Sequence, residues 1–229
     1  MKVGIVRFPG SNCEEDSWFA VVEHLREDAV MLWHKAHDLQ GADVIILPGG
    51  FAHGDYLRAG AIARFSPIMT EVAAHAAKGG IVIGICNGFQ IACEAHLLPG
   101  ALLRNNRGYR SMPVTIRVEH SDTPMTAAAS VGQCLTMPIA HGEGRFTASE
   151  EDLDRLEGEG QVVFRYVDAR GTATPEANPN GAMRNIAGVC NAGRNVVGLM
   201  PHPERALDPL LGSTDGLVLF ESLLATVNA

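Results

Sequence analysis

The 229-residue sequence lacks the hallmarks of several large protein classes. It has neither a GxxxxGK[ST] nor a GxGxxG pattern, so it shows no recognisable nucleotide cradle. No apolar run approaches the length that crosses a membrane, and the start, Met1–Val6, reads as a strand and not as a secretory signal. Basic residues are outnumbered by acidic ones, and the resulting net charge of −8 argues against a nucleic-acid-binding protein.

Cysteine is also sparse, with five residues that form an odd set without a CxxC pair. This usage fits a reducing cytoplasm, with reactive or buried thiols, better than a disulfide framework. One of the five, Cys86, lies between glycines. We expect the other four to be small buried hydrophobic residues: Cys13, Cys93, Cys134 and Cys190.

The first hundred residues alternate between strands and helices. Asn12 and Glu15 have the spacing of a capping box, which predicts a helix whose buried face carries Trp18. Ser66 and Pro67 predict the start of a second helix. Continuous Val, Ile and Leu runs predict strands at residues 3–6, 29–33, 44–47 and 81–83. Such runs indicate an α/β protein with a parallel sheet that is covered on both faces.

The second half of the sequence has a different pattern of strands and turns. Polar turns separate short strands and no clear helix lies between them, which indicates partly antiparallel pairing. Thr172–Met183 reads as a mobile surface loop, and Ser213 or Thr214 is expected to cap a final helix. Without repeats or low-complexity segments, residues 1–229 are expected to form one domain. The strands are expected at residues 102–103, 114–118, 162–167, 189–190 and 196–200.

The motif GICNGFQ, Gly84–Gln90, is the first candidate for chemistry. It joins the apolar run at Ile81–Ile83 to a predicted short helix, so Cys86 lies at a strand-to-helix turn between glycines. This arrangement is the thiol version of a nucleophile elbow. The helix N-terminus that follows favours thiolate over thiol. Acyl transfer at Cys86 is therefore predicted.

A base for this thiol is expected at His202. Pro203 favours extended geometry in the residue before it, and residues i and i+2 of an extended segment share a face, so Glu204 would orient the His202 ring. His141 is the competing base because Glu143 repeats the same spacing. The glycines around His141 make that segment better suited to ligand contacts.

Backbone donors for an oxyanion are expected at two places. The Gly49–Gly50 turn follows a strand, and Asn87 is the residue after the nucleophile. A metal site at His34 and His37 is not expected, because no further ligands cluster near them and they read as surface histidines.

Three motifs in this order, PGGF at 48–51, GICNGFQ at 84–90 and PHPE at 201–204, resemble the class I, triad-type glutamine amidotransferases. The resemblance implies a flavodoxin-like sheet and a reaction in which the nucleophile releases ammonia from L-glutamine through a γ-glutamyl thioester. It also implies the site residues. Cys86, His202 and Glu204 would be catalytic, Gly50 and Asn87 would supply the oxyanion hole, and the glutamine pocket would be lined by Gln90, His141, Gly142, Glu143 and Gly144.

Further stretches resemble one branch of this class, the glutaminase subunits of a purine-biosynthetic synthase: FPGSNC at 8–13, GDYLRAG at 54–60 and AHGEGR at 140–145. That branch implies a large synthase subunit, which would use ATP and magnesium to convert formylglycinamide ribonucleotide to its amidine, and a small bridging subunit. No cofactor or metal is expected in this chain. Segment 54–60 would face the synthase, with Asp55 and Arg58 coupling the two sites.

Two alternatives to this function stay open. The first is a glutaminase for another acceptor, in the GMP, carbamoyl phosphate or pyridoxal phosphate pathway. The second is a redox-sensing protein, or another non-catalytic or non-glutamine cysteine-elbow protein, with the same fold; in the redox sensor Cys86 is an oxidisable thiol.

Overall fold

The computed structural model describes residues 1–228, which form eleven strands and five α-helices. The strands are β1 Lys2–Arg7, β2 Asp28–Trp33, β3 Val44–Leu47, β4 Ile81–Ile85, β5 Ala101–Leu103, β6 Arg110–Val118, β7 Cys134–His141, β8 Arg145–Thr147, β9 Val162–Val167, β10 Ile186–Cys190 and β11 Val196–Leu199. The helices are α1 Glu14–Phe19, α2 Pro67–Ala77, α3 Asn87–Glu94, α4 Glu150–Gly158 and α5 Leu217–Val227.

Nine strands form one sheet in the order β2-β1-β3-β4-β11-β10-β9-β6-β7. The first five are parallel, and with β11 as the fifth strand they have the flavodoxin-like order. The other four pair antiparallel, while β5 and β8 form a separate pair. The predicted fold class, a parallel sheet extended by antiparallel strands in the second half, is confirmed.

The inner parallel strands are buried because helices cover the sheet. β3 and β11 are buried along their whole length, and α3 packs against β3, β4 and β11. Gly88 makes this close approach possible, because a Cβ at that position would overlap the carbonyl group of Leu47. The first turn of α3 therefore lies directly over the carboxyl ends of the parallel strands.

The predicted start of the first helix is wrong. Cys13, and not Asn12, is the N-cap, and it makes no side-chain capping bond. Glu15 does not close a capping box because its carboxylate binds Arg7 at 3.0 Å. A π-helical turn at Ala20–His24 follows α1, and it breaks the 3.6-residue period on which the predicted apolar face was based. Trp18 is accordingly 38% exposed.

In the second half, the expectation that no helix separates the strands is wrong. Ser149 caps α4 by accepting the N–H of Asp152. Only Leu153 and Leu156 of this acidic helix are buried, so its apolar signal is weak. The final helix begins at Leu217 with Gly216 as N-cap, and not at the predicted Ser213 or Thr214.

The Thr172–Met183 segment is irregular, as expected, but it is not purely a surface loop. Asn180 is fully buried, and its Nδ2 group donates to the carbonyl of Gly144 at 2.8 Å. Asn178 accepts three backbone N–H groups of the segment. These amide side chains fix the segment against the middle of the chain.

Cysteines 13, 93 and 190 are buried as expected, whereas the expectation for Cys134 is wrong because it is exposed at the edge strand β7. His34 is also not a surface residue, since it is buried with Nδ1 3.1 Å from Oγ of Ser66. Within residues 1–228, we find no helix both long and apolar enough to span a bilayer.

Candidate active site

Cys86 occupies the turn between β4 and α3. Its backbone has φ 50° and ψ −105°, a strained conformation of the kind that functional sites retain. The Cys86 N–H donates to the carbonyl of Leu199 at 2.8 Å, and the Cys86 carbonyl accepts the N–H of Phe89. The thiol thus lies at a fixed position beside the N-terminus of α3, as the elbow motif predicts.

His202 and Glu204 follow the neighbouring parallel strand. Leu199 of β11 is paired with Ile85 of β4, so the segments that follow both strands emerge at the same sheet edge. His202 Nδ1 lies 2.6 Å from Oε1 of Glu204, and both side chains are buried. The prediction that they meet through an extended segment is wrong. Instead Pro203–Arg205 forms a 3₁₀ turn that brings the carboxylate back to the ring.

This contact decides how the imidazole can act. Burial opposes a charge on the ring, but Glu204 and the Cys86 thiol outweigh burial and raise the pKa of His202 above its ordinary value. Nδ1 faces the carboxylate, whereas Nε2 has no hydrogen-bond partner among the described residues. The ring is therefore able to stabilise a thiolate and to transfer its proton.

A second thiol, that of Cys13, lies next to the same imidazole. The Cys13 sulfur, a ring nitrogen of His202 and a carboxylate oxygen of Glu204 all lie within 4.8 Å of one another. Burial raises the pKa of the Cys13 thiol despite its contact with His202, and Arg205 Nη2 is 3.2 Å from its sulfur. No spacing pattern predicts this contact, because the loop before α1 carries Cys13 to the site.

His141, the competing base, has the opposite electrostatics. Asn180 Nδ2 is 3.0 Å from His141 Nε2. The orientation of that amide is fixed by its bonds to Gly144 and Ala182. Nε2 must therefore accept, and Nδ1 carries the proton. Burial, with the nearby His202, lowers the pKa of His141 to about 3. A neutral ring of such low basicity is a poor general base at neutral pH.

The two expected oxyanion donors belong to the turn after β3 and to the start of α3. An antiparallel bridge joins Gly50 to Ser11, and its flanking bonds use the N–H groups of Asn12 and Phe51, not that of Gly50. Gly50 has φ 140°, and a Cβ there would lie 2.6 Å from the Asn12 nitrogen, so only glycine fits. The Asn87 N–H is in the first turn of α3, where amides have no intrahelical partner.

A cavity of about 340 Å³ opens beside Cys86. Of the predicted pocket residues, Gln90, His141, Gly142 and Glu143 line it. Gly144 instead supports the wall by donating its N–H to Asn105 Oδ1 at 2.8 Å. Gln90 is held in place by donating from Nε2 to the Glu143 carbonyl. Further lining residues that the motifs did not single out for the pocket are Asp55, Arg104, Asn105 and Tyr109.

Comparisons with known proteins agree with this geometry. Residues 1–215 match the family described as the CobB/CobQ-like glutamine amidotransferase domain. The chain is 58% identical to the phosphoribosylformylglycinamidine synthase subunit PurQ of Chlorobaculum tepidum, over 97% of this chain and 96% of that protein. It is 57% identical to the Rubrobacter xylanophilus PurQ subunit, over 98% of both chains. The solved PurLQS structure from Thermotoga maritima contains a chain with 40% identity and a TM-score of 0.87, covering 99% of this chain and 98% of that one.

Proposed function

Because the chain belongs to the CobB/CobQ-like glutamine amidotransferase family, we propose that it is the glutaminase subunit of phosphoribosylformylglycinamidine synthase in purine biosynthesis. The relatives that carry this name match it over nearly their full length. The observation that carries the proposal is the elbow thiol of Cys86 beside an imidazole that Glu204 orients. That set of groups is suited to hydrolysis of the glutamine side-chain amide.

In the proposed reaction, the Cys86 thiolate attacks the carboxamide carbon of L-glutamine. His202 then gives its proton to the departing nitrogen, and ammonia leaves a γ-glutamyl thioester. Water, deprotonated by the now neutral His202, attacks the thioester carbonyl, and glutamate departs as the thiol is regenerated. Glu204 stabilises the charged ring in both halves. Such acid–base assistance contributes roughly 10²–10⁴ in rate.

Negative charge develops on the carbonyl oxygen during both attacks. The N–H groups of Gly50 and Asn87 are proposed to stabilise that charge by donating hydrogen bonds to it. Gly50 lines the same cavity as Cys86, Asn87 follows Cys86 in the chain, and neither N–H is used by the adjacent bridge or helix bonds. Removing one such donor typically costs about 10²–10³ in rate. Gln90 and the His141–Gly144 segment are proposed to hold the rest of the substrate beside the thiol.

The ammonia is proposed to pass to a large synthase subunit, with a small bridging subunit completing the complex. The related PurLQS structure supports an assembly of this kind. Formylglycinamide ribonucleotide and ATP with magnesium would be bound by the synthase, and this chain would need no cofactor of its own. We expect the chain alone to hydrolyse glutamine slowly, since uncoupled turnover wastes the substrate.

Segment 54–60 is proposed to face the synthase, but through different side chains from those first expected. Asp55 lines the cavity, and Arg58 forms two hydrogen bonds of 2.6 Å with Glu94. Tyr56 and Leu57, in contrast, are 73% and 82% exposed. These two exposed side chains, which follow Asp55 in the chain, are the part of the segment that suits a protein partner.

Two further proposals concern the setting of this chain. Residues 1–229 are proposed to form one amidotransferase domain, and the sheet that joins strands from both halves supports this. A cytoplasmic location is proposed as well. Its support is that all five cysteines are free, as is usual in a reducing compartment.

The function is tested by glutamine hydrolysis in the assembled complex. We expect Cys86→Ser to abolish ammonia release and to prevent labelling by a glutamine-like electrophile, while the matched control Cys93→Ser, a buried thiol outside the site, keeps both. If the electrophile labels Cys13 or Cys93 and activity is retained, Cys86 is not the nucleophile. A wild-type complex that uses free ammonia but not glutamine would overturn the proposed function.

A further inference from the structure

Asp55 is held toward the cavity by a strained piece of backbone. His53, Gly54 and Asp55 are consecutive residues with positive φ, at 54°, 68° and 52°. Two of them are not glycine, and such conformations persist only where the surrounding structure requires them. The result is that the Asp55 side chain lines the cavity, whereas the next two residues along the chain project outward.

A second carboxylate, that of Glu143, lies in the same wall. Its Oε2 accepts the N–H of Ala59 at 3.2 Å, and its Oε1 is 3.4 Å from Nε of Arg104. Burial, together with the charge of Glu143, raises the pKa of Asp55 to about 6. Two acidic groups that disfavour each other's charge in a partly buried cavity form a natural site for a cation.

Hydrogen bonds connect these carboxylates to the reacting end of the cavity. Asn87 Nδ2 donates to Asp55 Oδ1 at 3.3 Å and to Gln90 Oε1 at 2.9 Å. Gln90 donates in turn to the backbone carbonyl of Glu143. A cation bound by the carboxylates is therefore held at a set position relative to Cys86, the neighbour of Asn87 in the chain.

The charges around the cavity match those of an amino acid. Asp55 and Glu143 supply two negative groups, and Arg104 adds a positive group at the exposed rim. A zwitterion can place its ammonium group at the carboxylates and its carboxylate toward the guanidinium. A simple amide has no charged group to bind either the carboxylates or the guanidinium. A dicarboxylic acid monoamide could bind the guanidinium, but it has no positive group for the carboxylates.

We propose that Asp55, with Glu143 beside it, binds the α-ammonium group of L-glutamine and so selects an α-amino acid over other carboxamides. This inference rests on the proposed function and adds to it the residues that determine substrate selectivity. Asp55 is thereby assigned to substrate binding and not to contact with the synthase.

The test compares L-glutamine with 4-carbamoylbutanoate, which is glutamine without its amino group, as substrates of the full chain assembled with its synthase subunits. We expect Asp55→Asn to lower kcat/KM for L-glutamine about 10- to 100-fold, mainly through KM, because a charge-assisted contact is lost. The value for 4-carbamoylbutanoate should stay within about twofold. Glu143→Gln should act in the same direction, and it serves if Asp55→Asn does not fold.

The matched control is Asp28→Asn, the same change on the exposed start of β2, which should leave both substrates unaffected. An equal loss for both substrates would show a merely structural role for Asp55, and an unchanged preference would show that it does not contact the ammonium group. Either result overturns this inference while leaving glutaminase activity established. Failure of the wild-type complex to release ammonia from L-glutamine would instead overturn the function on which it rests.

Discussion

At the scale of single residues, Glu204 sets both the orientation and the charge of the imidazole. Its carboxylate binds Nδ1 of His202 at 2.6 Å, so Nε2 is the nitrogen that can face the thiol. The same carboxylate raises the pKa of His202 against the effect of burial. A substitution that removes the charge of Glu204 but keeps its shape should therefore weaken the electrostatic attraction between His202 and the Cys86 thiolate without leaving a cavity.

The Glu204→Gln variant should lose about 10²–10⁴ in kcat for glutamine hydrolysis. The pKa of His202 falls when its anionic partner is gone, so the thiolate of Cys86 loses its counter-charge. We therefore also expect slower alkylation of Cys86 between pH 6 and pH 8. Glu176→Gln, on an exposed part of the 172–183 segment, is the control. Alkylation of Glu204→Gln at the wild-type rate would contradict this role.

Asp55 should lower the stability of the free chain at neutral pH. An ordinary aspartate ionises near pH 3.8, whereas burial and Glu143 raise the pKa of Asp55 to about 6 in the folded chain. Between these values the folded chain keeps a proton that the unfolded chain has released, so stability falls as pH rises. Asp55→Asn should thus raise the thermal midpoint at pH 7.5, and the gain should shrink toward pH 4.

The measurement is thermal unfolding of the chain across this pH range, with Asp28→Asn as the matched control. The gain will be modest, because Asp55 is only partly buried and solvent screens its charge. A gain that is independent of pH would show that the substitution acts through packing and not through ionisation. If Asp55→Asn both gains stability and loses substrate selectivity, Asp55 lowers the stability of the free chain in return for its role in substrate binding.

Sequence patterns predicted the positions of the candidate site residues better than the residues that surround them. Cys86 at the elbow and the pair His202–Glu204 follow from local rules of spacing, and the structure brings all three to one sheet edge. The places of Cys13 and Asn180 beside this site could not be predicted, because contacts between distant loops leave no periodic signal. His202 and Glu204 also meet through a 3₁₀ turn and not through an extended segment. Pro203 is compatible with both, because proline fits the first position of a helical turn and also favours an extended residue before it.

At the scale of elements, the contact between α3 and β3 determines the geometry of the elbow. Gly88 lies against the Leu47 carbonyl, and no side chain fits between them. The distance between helix and sheet at this point also fixes the Asn87 N–H, one of the proposed oxyanion donors. A change that lifts the helix should therefore affect stability and catalysis together.

We expect Gly88→Ala to cost about 1–3 kcal/mol of unfolding free energy through overpacking and to lower kcat as α3 moves. Gly158→Ala is the matched control, because a Cβ at the end of α4 meets open space, and alanine there should be neutral or slightly stabilising. Thermal unfolding and glutamine hydrolysis measure the two effects. Wild-type stability for Gly88→Ala would show that the helix is not held by this contact.

The elements themselves were predictable where burial on both faces gives a continuous apolar run, as in β3 and β11. Helix α4 was missed because two buried leucines among acidic residues form too narrow an apolar stripe. The start of α1 was misplaced because Glu15 is drawn to Arg7, a partner on β1. For α1 a tertiary contact outweighs the local capping pattern, and for α4 the apolar content is too low to give a pattern.

At the scale of the whole molecule, the exposed side chains of segment 54–60 are expected to join the chain to the synthase. Leu57→Asp should weaken assembly at least about tenfold, as is usual when a central interface residue is lost, and leave thermal stability unchanged. Leu210→Asp is the matched control, since Leu210 is also largely exposed, at 95%, on another segment. Equal affinity of both variants in a pull-down titration would place the interface elsewhere.

The neighbouring positions of β4 and β11 have a consequence for how the enzyme is made. Cys86 and His202 are separated by more than a hundred residues of chain, and ribosomes add roughly 5–20 residues per second. A nascent chain therefore displays its thiol for on the order of ten seconds before the partner histidine is synthesised. Until β11 inserts beside β4, a non-local pairing that forms late, the growing polypeptide cannot consume glutamine.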